Sequence, residues 1–232
     1  MFDKEKQMFM FNRGPIMTNL FLADEINRTS PKTQSALLEV MEEGIVTVDG
    51  HTMHVPEPFL VIATQNPVGS AGTQPLPDSQ LDRFMICISL GYPAHETEID
   101  MLKSHCSHKE KATISPIIDG KEIPLIQEEV SKVYIHDDIY DYILRLVHET
   151  RNNVNIRLGL SPRGSIALSK LAKSIAFLNG RDYCLPEDVA YIFKDVAIHR
   201  ILPVATYRIA KLTLSDILTQ ILDKVEKPSP AI

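Results

Sequence analysis

Features that assign a chain to an extracellular or membrane class are missing from this sequence. Its three cysteines, Cys87, Cys106 and Cys184, are odd in number and form no CxxC pair, which fits reduced thiols better than a disulfide framework. No run approaches the roughly 18 uninterrupted apolar residues of a membrane span. The start, MFDKEKQMFMF, has charges where a signal peptide needs its hydrophobic stretch. We therefore expect a cytoplasmic protein without membrane insertion.

Blocks of positive charge are absent as well. The chain has 24 Lys and Arg against 30 Asp and Glu, a formal net charge of −6. Because nonspecific duplex binding depends on clustered Lys and Arg, we do not expect nucleic acid among the partners. What the 232 residues do contain is 44% hydrophobic side chains, enough for one large domain or two small ones.

The first part of the sequence combines strand, helix and turn signals. The unbroken apolar runs NLFLA and FLVIA predict strands covered on both faces, as in a parallel sheet. Between them, Ser30 and Pro31 predict the start of a helix that ends at Gly44. Asp49-Gly50 predicts the turn of a β-hairpin, and MICISL predicts a third strand. The predicted apolar stripe of the helix consists of Ala36, Leu37, Val40 and Met41.

From Pro93 onward the signals are helical. We place a domain boundary there, with an α/β core over residues 1–92 and an all-α domain over residues 93–232. The stretch from Pro116 to Pro124 is predicted to be irregular. Helix starts are predicted at Ala94, Asp137, Ser161-Pro162, Pro186 and Leu214.

Polar residues whose side chains suit metal binding and proton transfer follow the first two predicted strands. Asp24 and Glu25 follow the first strand, and Asn66 follows the second. Ligands of open α/β sheets bind outside the carboxyl ends of the strands. Beside a nucleotide, Asp24 would hold the water shell of Mg²⁺, Glu25 would deprotonate the attacking water and Asn66 would position it. By itself, however, an Asp-Glu pair fits a solvated strand end equally well.

The motifs as a set resemble those of MoxR-type ATPases of the AAA+ superfamily. LFLADEINR, the helix that begins with proline, the Asp-Gly hairpin, VIATQNP, PLPDSQLDRF and SPRG follow the order and approximate spacing of that family. The resemblance implies a P-loop-type parallel sheet core with a hairpin insertion and an all-α lid. It also implies site roles: Asp24-Glu25 as the Walker B pair, Asn66 as sensor 1, Arg83 as the arginine finger and Arg163 as sensor 2.

Independently of the family resemblance, the guanidinium groups of Arg83 and Arg163 are suited to binding phosphate. A planar, permanently charged guanidinium matches the charge that develops on a γ-phosphate. Arg83 follows a loop, from which it would reach a neighbouring subunit, and Arg163 lies in the first turn of a helix, where a cation needs an anionic partner. The alternative for each is a surface arginine, with Arg83 paired to Asp82 or another acid.

A phosphate-binding loop of the form GxxxxGK[ST] is absent. The only Gly-Lys pair, Gly120-Lys121, is followed by Glu122, and Ser115 stands where the pattern needs its first glycine. In the family this Walker A motif precedes Walker B. We therefore expect the chain to be the C-terminal part of a longer protein and to be inactive as an ATPase by itself.

The resemblance implies a function for the complete protein. It would hydrolyse ATP with Mg²⁺ as a ring, a hexamer, and remodel or mature client proteins in a chaperone-like way. Proteins with von Willebrand factor A domains would be partners. Alternatives from other classes are a noncatalytic interaction module, and a nucleic-acid motor or magnesium-chelatase-like ATPase subunit with the same hairpin and sensor layout. The acidic charge and the hairpin tip Asp49-Gly50-His51 argue against DNA.

One cluster lies outside these motifs. The sequence HCSH, from His105 to His108, offers two imidazoles and a thiol, all usable by zinc. Adjacent helical residues point in different directions, and no second cluster supplies further ligands. We expect an exposed helix end rather than a metal site.

Overall fold

A computed structural model of the chain describes residues 13–48, 50–66, 74–106, 114–205 and 212–229, together with the backbone of 2–3 and 8–9; His105 and Cys106 are described as backbone only. Its strands are β1 (Phe2–Asp3), β2 (Met8–Phe9), β3 (Leu20–Ala23), β4 (Ile45–Val48), β5 (His51–His54), β6 (Leu60–Ala63), β7 (Ile156–Leu158) and β8 (Leu202–Pro203). Its α-helices are α1 (Pro31–Glu43), α2 (Asp78–Leu81), α3 (His95–Cys106), α4 (Ile123–Lys132), α5 (Asp137–Asn152), α6 (Pro162–Leu178), α7 (Pro186–Ala197) and α8 (Leu214–Lys224). This order confirms the predicted fold class.

The two predicted strands β3 and β6 pair in parallel, with Leu20 opposite Leu60 and Ala23 opposite Ala63. The ladder continues beyond both strands. The Thr64 amide donates to the Ala23 carbonyl, and the Ile26 amide donates to the Thr64 carbonyl, each at 3.0 Å. The residues that follow the two strands are therefore held side by side.

The prediction that both faces of these strands are covered is wrong for the described residues. Leu22 of β3 is 62% exposed and Leu60 of β6 is 58% exposed. On the other face Ala23 and Ala63 are partly buried against a small core of Ile26, Leu38 and Leu76. In the described part of the chain, helix packs only on this second face. An unbroken apolar run in the sequence therefore does not distinguish a strand that is covered on one face from a strand that is covered on both.

The helix α1 has the predicted ends. The Ser30 hydroxyl caps it by accepting from the Thr33 amide at 3.2 Å, and Gly44 ends it with a left-handed φ of 66°. The predicted stripe is partly wrong, because Ala36 is exposed and Leu38 is buried instead. Gln34 is buried as well, and its amide donates to the carbonyls of Ile26 and Thr29. Satisfied hydrogen bonds let this polar residue occupy an inward position.

The predicted hairpin is confirmed by the antiparallel pairing of β4 and β5, in which Val48 lies opposite His51. Gly50 takes a φ of 78°, as a two-residue hairpin turn requires. Asp49, the other turn residue, lies outside the described residues.

The predicted third strand, MICISL, is wrong. Residues 85–90 form no strand and have no strand partner among the described residues. Ile88 is 63% exposed and Leu90 is 93% exposed. The segment instead makes a hydrogen bond to a helix, in which the Cys87 amide donates to the Asp195 carbonyl at 2.9 Å. A strand exists only where a neighbouring backbone completes its hydrogen bonds.

The C-terminal half packs α5, α6, α7 and α8 around a common hydrophobic core. The predicted helix starts agree with the observed ones to within one residue. The fully buried side chains include Tyr142, Leu146, Leu168 and Phe193. Burial of each large apolar side chain contributes about 1.5–3 kcal/mol, so this core dominates the stability of the half. The buried apolar residues of α5, α7 and α8 recur at the spacing of one helix face, and they include Ile139, Ile143, Leu146, Val147, Val189, Ile192, Phe193, Val196, Ile217, Leu218 and Ile221.

Sequence reasoning missed two features of this half. No helix was predicted for α4, which begins inside the stretch predicted to be irregular and has Pro124 as its second residue. Proline is tolerated there because a first-turn amide has no partner within the helix. The short antiparallel pair β7 and β8 was also missed, since three residues carry too little periodicity. The domain boundary near Pro93 stays a prediction.

Two further expectations concern membrane and metal. Among the described helices, none combines the length and the apolar character needed to cross a bilayer. The side chains of the HCSH cluster lie outside the described residues, so its predicted lack of a metal stays a prediction.

Gly159, which lies between β7 and α6 in the chain, provides a test of packing against α5. A Cβ built on it would lie 2.7 Å from backbone atoms of Arg151 and Thr150 in the last turn of α5. Gly159→Ala should therefore lower the free energy of unfolding by about 1–3 kcal/mol, as overpacking does. Chemical denaturation followed by circular dichroism measures this change.

Gly120→Ala is the matched control, because nothing lies within 4 Å of a Cβ at that position. Equal denaturation midpoints for the two variants would contradict the close approach of Gly159 to α5.

Candidate nucleotide-binding site

The ends of β3 and β6 bring Asp24 and Glu25 against Thr64. The Thr64 hydroxyl donates to Asp24 Oδ1 at 2.5 Å and accepts from the Glu25 amide at 2.8 Å. Asp24 is exposed and Glu25 is half-buried. One hydroxyl thus fixes the side chain of the first acid and the backbone of the second, a role for Thr64 that sequence reasoning missed.

Glu25 is held in an uncommon backbone conformation. Its φ of 51° makes it the one described non-glycine residue with positive φ. Such left-handed geometry costs an ordinary residue roughly 1–2 kcal/mol and is found most often at functional sites. The side chain of Glu25 accepts from Asn66 Nδ2 at 2.6 Å and pairs with Arg28 at 2.9 Å. The predicted base and the predicted sensor therefore touch.

Asn27 positions the backbone of Asn66. The Asn27 amide group donates to the Asn66 carbonyl at 3.1 Å, and its Oδ1 accepts from the Asn66 amide at 3.2 Å. Asn27 is 4% exposed. No sequence signal distinguished this residue, because a buried asparagine becomes recognisable only when its partner strand is placed beside it.

The two predicted arginines meet at a third residue, Glu42, near the end of α1. Arg83 Nη1 lies 3.2 Å from Glu42 Oε2 and also donates to the Leu38 carbonyl at 3.1 Å. Arg163 Nη2 binds the other carboxylate oxygen of Glu42. Arg83 is thus paired with an acid, as the surface-arginine alternative predicted, but that acid is Glu42, because Asp82 pairs with Arg200. The sequence did not single out Glu42.

The structure separates these two groups of residues. Glu25, which follows Asp24 and contacts Asn66, comes shortly before the start of α1, whereas Glu42, which binds Arg83 and Arg163, lies near the end of this helix. Between Pro31 and Glu42 the helix rises about 16 Å, at 1.5 Å per residue. The predicted site residues thus form two clusters, one around Glu25 and one around Glu42.

Comparisons with known proteins give a consistent assignment. The family described as "ATPase family associated with various cellular activities (AAA)" matches residues 1–86, and the AAA lid domain matches residues 148–221. The Bacillus subtilis protein YeaC is 44% identical over 98% of this chain and 71% of its own length. Chaperone MoxR1 of Mycobacterium tuberculosis is 39% identical over 87% of this chain, which covers 55% of MoxR1.

The chain belongs to the MoxR-type AAA+ ATPases. A crystal structure of a protein from Cytophaga hutchinsonii, 36% identical, superimposes with a TM-score of 0.89 over 99% of this chain and 72% of that protein. The described fold is therefore the fold of this family over both halves. Membership of the AAA+ ATPases implies nucleotide binding.

The residues of this MoxR-type chain fit a magnesium ion that is bound together with a nucleotide. Mg²⁺ favours oxygen ligands and in such sites is held by one or two carboxylates, waters and phosphates. Asp24 offers an exposed carboxylate whose orientation Thr64 fixes. No group of three or more His, Cys, Asp or Glu side chains gathers among the described residues. The protein's contribution to the ion would thus be the Asp24 carboxylate, acting through the water shell.

The left-handed backbone of Glu25 generates a test with two variants. Both Glu25→Ala and Glu25→Gly remove the carboxylate, but only glycine accepts the backbone conformation without strain. Glu25→Gly should therefore be more stable than Glu25→Ala by about 0.5–1 kcal/mol. Denaturation midpoints of the two proteins measure this difference.

Glu39, exposed within α1, is the control position. There the order should reverse, because glycine is about 0.5–1 kcal/mol worse than alanine inside a helix. An alanine variant of Glu25 that matches or exceeds the glycine variant in stability would refute the strained conformation.

Proposed function

We propose that this chain is the catalytic part of a ring-forming ATPase in which Glu25 activates the attacking water. The observation that carries the proposal is the contact between Glu25 and Asn66, 2.6 Å apart at the ends of two parallel strands. A base must be oriented to be effective, and the amide of Asn66 holds one carboxylate oxygen while Thr64 holds the backbone. Glu25 is the catalytic base, Asn66 positions it and the water, and Asp24 binds the water shell of Mg²⁺.

Mg²⁺ would neutralise charge on the β- and γ-phosphates when ATP is bound. The residues of this chain would orient the water and accept its proton at Glu25. The pairing of Glu25 with Arg28 adds a second contact that orients the carboxylate.

Arg83 and Arg163 are proposed to act on the nucleotide of a neighbouring subunit. Both bind Glu42, about 16 Å along α1 from the end at which Glu25 lies. Their shared carboxylate supports a joint action on one phosphate group, since a γ-phosphate is an anion that can replace Glu42 as the partner of both guanidinium groups. This assignment moves Arg163 from its own subunit's nucleotide, where a sensor in the lid is usually placed, to the neighbour's.

The wider role is proposed from the relatives. MoxR1 is named a chaperone, and this chain spans about half of its length. We propose that ATP hydrolysis in a hexameric ring in the cytoplasm drives chaperone-like remodelling of client proteins, with von Willebrand factor A-domain proteins as partners. The β4–β5 hairpin, which projects from the end of α1, would face the central pore.

Mixed assemblies test the trans role of Arg83. In the full-length protein, Arg83→Ala should leave ATP binding nearly intact and lower hydrolysis by about 10³–10⁵-fold. Mixing Arg83→Ala with Glu25→Gln should then restore activity, because the first variant supplies an intact Glu25 and the second an intact Arg83. Steady-state ATPase rates over a series of mixing ratios measure the recovery. If assembled rings show none at any ratio, the trans assignment is wrong.

A second mixture tests whether Arg163 acts on the nucleotide of its own subunit or on that of the neighbouring subunit. Mixing Arg83→Ala with Arg163→Ala should give no recovery, because each subunit then offers its neighbour only one of the two arginines. Recovery in the ATPase assay would instead assign Arg163 to the nucleotide of its own subunit. Lys170→Ala, an exposed change on the same helix, is the control, and its mixture with Arg83→Ala should be active.

A further inference from the structure

Arg200, at the end of α7, is buried in a way that is rare for arginine. Its side chain is 2% exposed. A guanidinium has five N–H donors, and each of these five finds an acceptor. Nε donates to Asp82 Oδ1 at 2.9 Å. Nη1 donates to the carbonyls of Met85 and Val196, and Nη2 to those of Asp82 and Phe84, at 2.6–3.3 Å.

Most of these acceptors belong to residues 82–87, which we call the finger segment because it contains Arg83. Three other residues of the helical half bind it as well. The Ser161 hydroxyl donates to both carboxylate oxygens of Asp82, at 3.1 and 2.9 Å. The Cys87 amide donates to the Asp195 carbonyl at 2.9 Å. His199 Nε2 lies 2.9 Å from the Phe84 carbonyl, to which it donates.

The charge state of these groups supports a fixed arrangement. Burial lowers the pKa of His199 from its ordinary value, so the ring is neutral near pH 7. Burial also lowers the pKa of Arg200, and the Asp82 carboxylate opposes that shift. Replacing one partner of such an ion pair is costly in stability, because the other partner is left as an unpaired charge away from water.

Arg200 also lies against the helix that carries Arg163. A Cβ built on Gly164, in the first turn of α6, would be 3.3 Å from Arg200 Cδ. Gly164 directly follows Arg163, and the N-cap residue Ser161 binds Asp82. Arg200 is thus packed between the backbone next to Arg83 and the helical turn next to Arg163.

We propose that Arg200 is a positioning residue that locks the finger segment and the first turn of α6 into one unit, so that Arg83 and Arg163 are presented together to the neighbouring subunit. Arg200 touches neither of the reacting groups and acts through the backbone of residues 82–85. The inference rests on the proposed trans role of Arg83. Lysine at this position would keep the charge opposite Asp82 but lacks the planar fork that reaches several carbonyls at once.

The test places Arg200→Lys on one chosen subunit of the mixed assembly of full-length Glu25→Gln and Arg83→Ala proteins. In the first arrangement the Glu25→Gln subunit, which supplies Arg83, also carries Arg200→Lys. In the second arrangement the Arg83→Ala subunit carries it. Both are compared with the mixture without Arg200→Lys by steady-state ATPase rate, after ring assembly is confirmed by mass measurement.

The recovered rate should fall at least about tenfold in the first arrangement, since a misplacement near 1 Å can cost about 10²-fold. In the second arrangement the rate should stay near that of the unmodified mixture, because the Arg200 of a subunit that supplies no finger has nothing to position. A merely structural role would lower both rates alike, so equal losses, or no loss in either arrangement, would overturn the inference.

Two variants keep the test decisive. Asp82→Asn preserves the shape of the partner and should show the same asymmetry, which settles the question if Arg200→Lys fails to assemble. Arg181→Lys is the matched control, because Arg181 makes a bidentate pair with buried Asp188 away from the finger segment and should show no asymmetry. Failure of the unmodified Glu25→Gln and Arg83→Ala mixture to recover would instead overturn the trans role of Arg83, and this inference with it.

Discussion

The parallel pairing of β3 with β6 is the constraint on which the candidate site depends. Asp24 and Asn66 are far apart in sequence, and the strand register brings Asp24 within reach of Thr64 and Asn66 within reach of Glu25. The ladder extends past the strands to Ile26 and Thr64, which fixes the turn in which Glu25 adopts its left-handed backbone. Short polar contacts then convert the strand ends into an oriented carboxylate, the arrangement that general-base chemistry needs.

Helix α1 acts as a spacer between the two charged clusters. It begins just after Glu25 and ends just after Glu42, the residue that binds both arginines. In a single subunit the length of the helix keeps Glu25 apart from the guanidinium groups of Arg83 and Arg163. The proposed trans role uses this separation, since one subunit would complete the site of the next in a ring. The exposed pairs at Glu42 contribute little to stability, because surface ion pairs are worth about 0–1 kcal/mol. They are therefore easily exchanged for a phosphate.

The contacts that join the finger segment to the helical half differ from the exposed ion pairs at Glu42. Asp82, Arg200 and Ser161 make them from buried or half-buried groups, with all five guanidinium donors satisfied. Such an arrangement specifies one geometry more than it adds stability, since desolvation offsets most of the attraction between buried charges. The contrast between the exposed pairs at Glu42 and the buried pair at Asp82 fits the proposal that the finger segment and the first turn of α6 form one unit.

The sequence by itself determined the local elements and the family. Ser30, Gly44 and Gly50 have conformational or capping preferences that act over a few residues, and the helix faces of α5 and α7 follow from periodicity, so each could be read without a structure. Only the tertiary structure decided which strand faces are covered, that MICISL has no strand partner among the described residues, and that Asn27, Glu42, Thr64 and Arg200 bind the candidate site residues or the backbone beside them. The reason is physical: coverage, strand pairing and polar contacts join residues distant in the chain, and no preference of a single residue encodes its partner.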